Sequence, residues 1–335
     1  RSTIVGATSG DTGAAAIEAF RGLEQVDVFI MYPNGRVSDV QRRQMTTVDA
    51  PNVHSIALEG TFDDCQAILK GCFNNHAFRD QMRLSGVNSI NWARVVAQVV
   101  YYFTSAVVLG GPHRPVSFTV PTGNFGDILA GYIAKRMGLP VERLVIATNE
   151  NDILARGLDS GTYDAKGVQA TSSPSMDIQV SSNFERLLFD AYGRDAASVR
   201  RLMASQQQGG SFTIDAKPLA AIRAEFDALR TGETGTAKEI GRVYKEAGYL
   251  LDPHTAVAVH AARKQLEKKP HVPMVALGTA HPAKFGDAVF KAAGVRAPLP
   301  AHMEGLMERK EHFTVLANDQ ATIERFIKER ARAGK

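Results

Sequence analysis

The chain has 335 residues, 44% hydrophobic and 22% charged, a globular composition that excludes a disordered, collagenous or coiled-coil protein. At roughly 150 residues per domain, that length predicts two domains, each able to bury a core. The 39 Lys+Arg against 35 Asp+Glu leave a net charge of +4, but the bases sit beside acids and run no longer than pairs such as Arg42-Arg43 and Lys268-Lys269, so no nucleic-acid partner is expected.

The sequence opens on Arg1 and enters a strand, residues 3–7, at once, so it is expected to be the remainder of a longer protein. A Gly-rich turn leads to a helix over 12–21. Residues 26–32 form an apolar strand stopped by Pro33-Asn34-Gly35. Ser38 caps a helix, 53–58 is the next strand, and Thr61 caps the helix carrying Cys65 and Cys72. Two cysteines are too few for a disulfide framework; two turns apart, they read as small buried thiols in a reducing, cytoplasmic compartment. The most apolar run, 95–109, is broken by Gln98, Thr104 and Ser105. It is too short and too polar to span a bilayer, so no membrane partner is expected and a buried helix over 92–109 is. Strand 116–120, helix 127–137, strand 144–148 and helix 152–158 continue the alternation. Residues 159–182 are polar and aperiodic, a length that points to function. Helices then dominate from 183 until a buried strand at 272–277, and 313–330 reads as a β–α appendage. The alternation predicts an α/β fold of parallel sheets with helices on their faces. Topology divides it into a smaller domain, 1–85, and a larger one, 86–335, that includes the appendage.

In open parallel sheets, ligands bind at the carboxyl ends of strands. Three turns there carry suggestive sequence. Pro121-Thr122-Gly123-Asn124-Phe125-Gly126-Asp127 follows the strand 116–120. Its glycines let successive N–H groups face one anion beside a helix N-terminus, which suits a phosphate; a tight structural turn with Asp127 as cap has the same pattern. It is neither G-x-x-x-x-G-K-[ST] nor G-x-G-x-x-G, so no P-loop or dinucleotide site is expected. Gly6-Ala7-Thr8-Ser9-Gly10-Asp11-Thr12-Gly13 offers hydroxyls and free N–H groups to a carboxylate or phosphate, or else an N-capped helix with Asp11 or Thr12 as cap. Gly278-Thr279-Ala280-His281-Pro282-Ala283-Lys284-Phe285 puts the Thr279 hydroxyl just beyond a strand end; a plain loop fits equally.

Arg94 falls in the first turn of the long helix, after Ser89 and Asn91. A cation there opposes the helix dipole unless an anion lies between them; an anion site and a surface ion pair both fit. Arg186 follows Ser182-Asn183-Phe184-Glu185, which fits a capping box and a structural role. Nine histidines form no H-E-x-x-H and no Cys/His cluster, so no metal site is expected. His254, in Asp252-Pro253-His254-Thr255, reads as a hydrogen-bonded structural histidine, with acid/base work the alternative.

Taken together these segments resemble threonine synthase, in the branch found in enteric bacteria and yeasts. The matching stretches, in order, are the 6–13 turn, Asn88-Ser89-Ile90-Asn91-Trp92-Ala93-Arg94, Thr122-Gly123-Asn124-Phe125-Gly126-Asp127, Ser175-Met176-Asp177-Ile178-Gln179-Val180-Ser181-Ser182-Asn183-Phe184-Glu185-Arg186 and Thr279-Ala280-His281-Pro282-Ala283-Lys284-Phe285. The resemblance implies a fold-type II enzyme with two parallel-sheet αβα domains and pyridoxal phosphate in the cleft between them. It implies conversion of O-phospho-L-homoserine and water to L-threonine and phosphate, the last step of threonine biosynthesis. Gly123, Asn124, Phe125, Gly126 and Asp127 are then expected to hold the cofactor phosphate, and Thr279 to face the pyridine nitrogen. Ser9, Asp11 and Thr12 are expected near the substrate carboxylate, and Ser89, Asn91 and Arg94 at the substrate phosphate. The family's Schiff-base lysine sits in a Phe-Lys-Asp motif ahead of the first Gly-rich turn. No Phe-Lys-Asp occurs in this chain, so that lysine is expected upstream of Arg1. A serine/threonine dehydratase of the same fold, and a non-catalytic module binding a phosphorylated metabolite, are the alternatives.

Overall fold

Two all-parallel sheets organise the chain, one in each of two units: Arg1–Asn88 with the chain from Pro298 onward, and Ser89–Ala297. The computed structural model describes residues 1–334. The first unit begins with β1 (Ser2–Ala7), α1 (Asp11–Phe20), β2 (Val26–Pro33), α2 (Asp39–Thr46), β3 (Val53–Glu59), α3 (Phe62–Asn74), α4 (His76–Met82) and β4 (Leu84–Gly86). Its strands are apolar almost throughout because both faces are covered. Val5, Ala7, Phe29, Met31, Ile56 and Leu58 pack with Cys65, Ile68, Leu69 and Cys72 of α3. Their neighbours in sequence, Ile4, Val28, Ile30, Tyr32 and Ala57, pack on the other face with Ala16 and Ile17 of α1 and Met45 of α2. Ser38 accepts from the Gln41 N–H at 3.3 Å, and Thr61 and Asp64 close a capping box, as their sequence positions predict. Burial pushes both thiols up, to about 12, so they are inert at neutral pH.

The second unit runs α5 (Trp92–Val108), β5 (Val116–Pro121), α6 (Gly126–Arg136), β6 (Val141–Thr148), α7 (Ile153–Ser160), β7 (Thr162–Asp164), α8 (Phe184–Ala191), α9 (Ala196–Gly209), β8 (Ser211–Thr213), α10 (Ala216–Glu225), β9 (Phe226–Arg230), α11 (Glu233–Ala247), α12 (Pro253–Leu266), β10 (Met274–Ala276) and α13 (Gly286–Ala293). Its sheet has the order β10-β5-β6-β9, and β7 and β8 form a separate antiparallel pair. Phe118, Val120, Leu144 and Ile146 face a core shared with α5 to α8, while Val145 and Ala147 face α12. Helix α5, expected to be buried, buries only Val95, Val99, Tyr102 and Ala106; Trp92, Val96, Val100 and Val107, on its other side, are exposed.

The chain then returns to the first unit with β11 (Thr314–Ala317) and α14 (Gln320–Arg330). This differs from the expected division at residue 85, which placed the β–α pair in the larger domain. β11 pairs with the open edge of β3, Val315 opposite Ala57, and Ile323, Phe326 and Ile327 of α14 join the α3 side of the core. The first sheet is therefore β11-β3-β2-β1-β4. In both sheets the strand order reverses beside one strand: β1 lies between β2 and β4, and β5 lies between β6 and β10. Crevices at such switch points are where α/β sheets bind ligands. The 6–13 turn leaves β1, the 121–127 turn leaves β5, and the Thr279 loop follows β10. Among the described residues no helix is long and apolar enough to cross a membrane.

Candidate active site

The turn after β5 is shaped by bonds directed away from its centre. The Thr122 N–H donates to Ala147 O at 2.8 Å and its hydroxyl to Val120 O at 2.7 Å, which fixes the end of the strand. Gly123 passes the 173–176 segment so closely that a Cβ there would lie 2.6 Å from Ser175 O. Phe125 adopts φ 62°, a left-handed conformation that is uncommon for an aromatic residue. Its ring is buried against Phe184 and Phe226, at 5.4 and 5.9 Å, and that burial offsets the local strain.

The carbonyls of the turn are claimed by the segment before α8. Gly123 O accepts from the Ser181 hydroxyl at 2.7 Å, and Asn124 O from the Asn183 N–H and side-chain amide at 3.1 and 2.9 Å. The first N–H drawn into α6 is that of Leu129, to Phe125 O. The N–H groups of the first turn of the helix have no intrahelical partner, the arrangement of an anion cradle. A cavity of about 180 Å3 lies there, lined by all five of Gly123, Asn124, Phe125, Gly126 and Asp127 together with Ser89, Arg94, Gln98 and Ser175.

Arg94 is an exposed residue whose guanidinium is partly desolvated at this cavity. Burial alone lowers its pKa, and no carboxylate or other hydrogen-bond partner engages it among the described residues. The surface ion pair that its sequence position also allowed is not formed. Asp127 is not the helix cap; Phe125 occupies that position and makes no side-chain cap. The Asp127 carboxyl is pushed up to about 6 because burial outweighs its contact with the Tyr102 hydroxyl. Asn91, expected beside Arg94 on the anion, caps α5 by accepting from the Ala93 N–H at 3.0 Å and is not among the residues lining the cavity. Arg186 spans Ile90 O, at 2.7 Å, and Asn183 Oδ1, so it braces the segment that holds the turn. The capping box read before it is absent: Ser182 donates to Asn124 Oδ1 at 3.3 Å.

The aperiodic stretch 159–182 is ordered by a polar network that the sequence reading missed. Asp177 accepts from Asn149, Asn151 and the Thr171 hydroxyl at 2.7 to 2.9 Å, and from the Thr171 N–H at 2.8 Å. These bonds fold the segment so that Ser175 backs the turn.

In the first unit, the 6–13 turn is capped by Thr8 rather than by Asp11 or Thr12. The Thr8 hydroxyl accepts from the N–H groups of Gly10 and Gly13, both at 2.9 Å. Ser9, Asp11 and Thr12 are half-buried, and Asp11 accepts from Gln41 Nε2 at 3.1 Å. In the second unit, Thr279 is exposed three residues beyond β10, and Lys284 lies in the short 3-10 turn Pro282–Phe285.

A family model described as "Pyridoxal-phosphate dependent enzyme" matches residues 1–204, and one described as "Threonine synthase, C-terminal" matches 255–327. The threonine synthase of Pseudomonas aeruginosa is 52% identical over 100% of this chain and 71% of its own length. The chain belongs to the threonine synthase family. The threonine synthase of Eremothecium gossypii is 49% identical over 87% of this chain, but the chain spans only 60% of that relative. The crystal structure of a pyridoxal-phosphate-bound threonine synthase from Brucella melitensis superposes with a TM-score of 0.95 at 61% identity, covering 99% of this chain and 71% of that one. The fold is that of a fold-type II enzyme, and the family's cofactor is pyridoxal phosphate.

The residues of the turn fit that cofactor's phosphate. A glycine packed against backbone and an N-terminal helical turn with unpaired amides are what close approach of a phosphate requires.

Proposed function

We propose that this chain carries the cofactor and substrate anion sites of a threonine synthase acting on O-phospho-L-homoserine, with L-threonine and phosphate as products. The observation that supports this most is the cavity shared by the 123–127 turn and Arg94, whose guanidinium has no partner among the described residues. Pyridoxal phosphate, when bound, supplies an electron sink for carbanion chemistry on the amino-acid substrate. The backbone N–H groups of Gly123, Asn124, Phe125, Gly126 and Asp127 would hold its phosphate, and the Thr279 hydroxyl would face its ring nitrogen. A hydroxyl, unlike a carboxylate, does not force permanent protonation there. Ser9, Asp11 and Thr12 would grip the substrate carboxylate with hydroxyls and the amides at the start of α1.

Arg94, with Ser89, would hold the substrate phosphate. The turn is half-buried and suits a group that stays, whereas Arg94 is exposed and suits one that arrives as ester and leaves as free phosphate. Phe-Lys-Asp is missing from residues 1–335, so the cofactor-linking lysine is proposed to lie outside them in the full-length protein. Two buried thiols support a cytoplasmic location.

Arg94→Lys keeps the charge but loses the planar fork. It is expected to lower kcat/KM for O-phosphohomoserine by roughly 30- to 1000-fold, the cost of a charge-assisted bond to phosphate at about 2–4 kcal/mol. Affinity for pyridoxal phosphate should stay near wild type. Steady-state kinetics with a cofactor titration check both. A fall in cofactor affinity instead would assign Arg94 to the cofactor phosphate, and normal kinetics would remove it from the site. Deamination of L-serine or L-threonine as the main activity would favour the dehydratase reading.

A further inference from the structure

Helix α12 starts with more hydrogen bonding than a helix cap needs. Asp252, Thr255 and His254 are all buried. The Asp252 carboxylate caps the helix by accepting from the N–H groups of His254 at 2.8 Å and Thr255 at 3.4 Å. The same carboxylate also engages His254 Nδ1 at 3.0 Å and accepts from the Thr255 hydroxyl. Each of these side chains reaches onward. His254 Nε2 accepts from the Ser175 N–H at 3.3 Å, and the Thr255 hydroxyl oxygen accepts from the Thr279 N–H at 3.4 Å.

Because Nε2 is an acceptor, the ring proton must lie on Nδ1, where it donates to Asp252. An imidazolium would set an N–H against the Ser175 N–H. The two backbone groups at the ends of this network lie against the turn after β5 and in the loop after its neighbour β10. Ser175 lines the anion cavity, with its carbonyl against Gly123, and Thr279 follows the neighbouring strand β10. Phe285, from the Thr279 loop, packs on the His254 ring at 4.8 Å and holds it from the other side.

We propose that Asp252, His254 and Thr255 form a positioning unit that fixes the wall behind the cofactor-phosphate turn relative to Thr279, and so sets where the cofactor's ring lies with respect to its phosphate. None of the three lines the cavity. The unit rests on the reading of the cavity as a pyridoxal phosphate site. It has two separable arms: His254 carries the phosphate side, and Thr255 the ring-nitrogen side.

The test uses the full-length protein. His254→Phe keeps the packing on Phe285 and removes the acceptor for Ser175; Thr255→Val keeps the shape and removes the acceptor for Thr279; Thr255→Ser restores the hydroxyl. Amide hydrogen exchange, titration with pyridoxal phosphate and with inorganic phosphate, and the absorption maximum of the bound cofactor are measured for each. In His254→Phe the Ser175 amide should exchange faster, and affinity for both phosphate ligands should fall about tenfold, the value of one lost hydrogen bond. In Thr255→Val the Thr279 amide should exchange faster, the absorption maximum should shift and kcat should fall about tenfold, with inorganic phosphate affinity unchanged and Thr255→Ser close to wild type. Faster exchange at both amides with wild-type affinity, spectrum and kcat would overturn the positioning role and leave a structural network. Failure of the wild-type protein to bind pyridoxal phosphate at all would overturn the cofactor reading beneath it.

Discussion

Gly123 and Gly126 look equivalent in the sequence and are not equivalent in the structure. A Cβ at Gly123 would strike Ser175 O, whereas one at Gly126 would meet nothing nearer than Gln98 Oε1 at 3.5 Å, an ordinary contact. Gly123→Ala is therefore expected to destabilise the second unit and to weaken pyridoxal phosphate binding together. Gly126→Ala should leave the melting temperature near wild type, because Gly126 is the first residue of α6 and an added methyl meets only ordinary contacts. Its cofactor affinity should nevertheless fall tenfold or more, as an order of magnitude, if backbone and phosphate approach closely there. Thermal melts with cofactor titration separate the two; unchanged affinity in Gly126→Ala would place the phosphate elsewhere. That a tight turn joins β5 to α6 was legible in the sequence, because closely spaced glycines after an apolar strand mark one. The caps supplied by Thr8 and Asn91 were missed for the opposite reason. Several short polar side chains near a helix start can cap it, and only the backbone path decides which one does.

Among the elements, α11 and α12 are tied by a buried carboxylate. Glu239, 2% exposed, accepts from Arg242 on its own helix and from Arg263 Nε of α12 at 2.9 Å. Burial alone would raise its pKa, but the two arginine bonds outweigh it and hold the group below the usual carboxylate range. A depressed folded pKa contributes stability at neutral pH that is lost as the pH falls through the carboxylate range. Glu239→Gln is expected to cost about 2 kcal/mol at neutral pH, less than the roughly 3–5 of a fully buried pair because both arginines are partly exposed. Urea unfolding across pH checks this: the difference from wild type should vanish in acid, and a constant difference would mean that Glu239 acts through packing. Most elements could be read from the sequence, since doubly covered parallel strands are apolar throughout and each helix between them is amphipathic. β9 could not. Ile222, Phe226 and Leu229 continue the helical spacing of α10, and only pairing with β6, Phe226 opposite Leu144, turns that stretch into a strand. β11 was recognised but assigned to the wrong unit, because a strand's sequence does not record which open edge it will join.

At the scale of the whole molecule, both sheets reverse their strand order beside a glycine-rich turn. In the proposed reaction the two turns would carry complementary tasks, carboxylate recognition in the first unit and phosphate recognition in the second. The family model matched over residues 1–204 spans both turns. A dehydratase would need one phosphate position, for the cofactor; the unpaired Arg94 beside the cradle supports a second, for a substrate that is itself a phosphate ester. The most direct measurement is the yield of L-threonine and of inorganic phosphate when the full-length protein, loaded with pyridoxal phosphate, is given O-phospho-L-homoserine. The account predicts that the two products appear together in equal amounts. Phosphate released without threonine, or no turnover of this ester alongside turnover of serine or threonine, would contradict it.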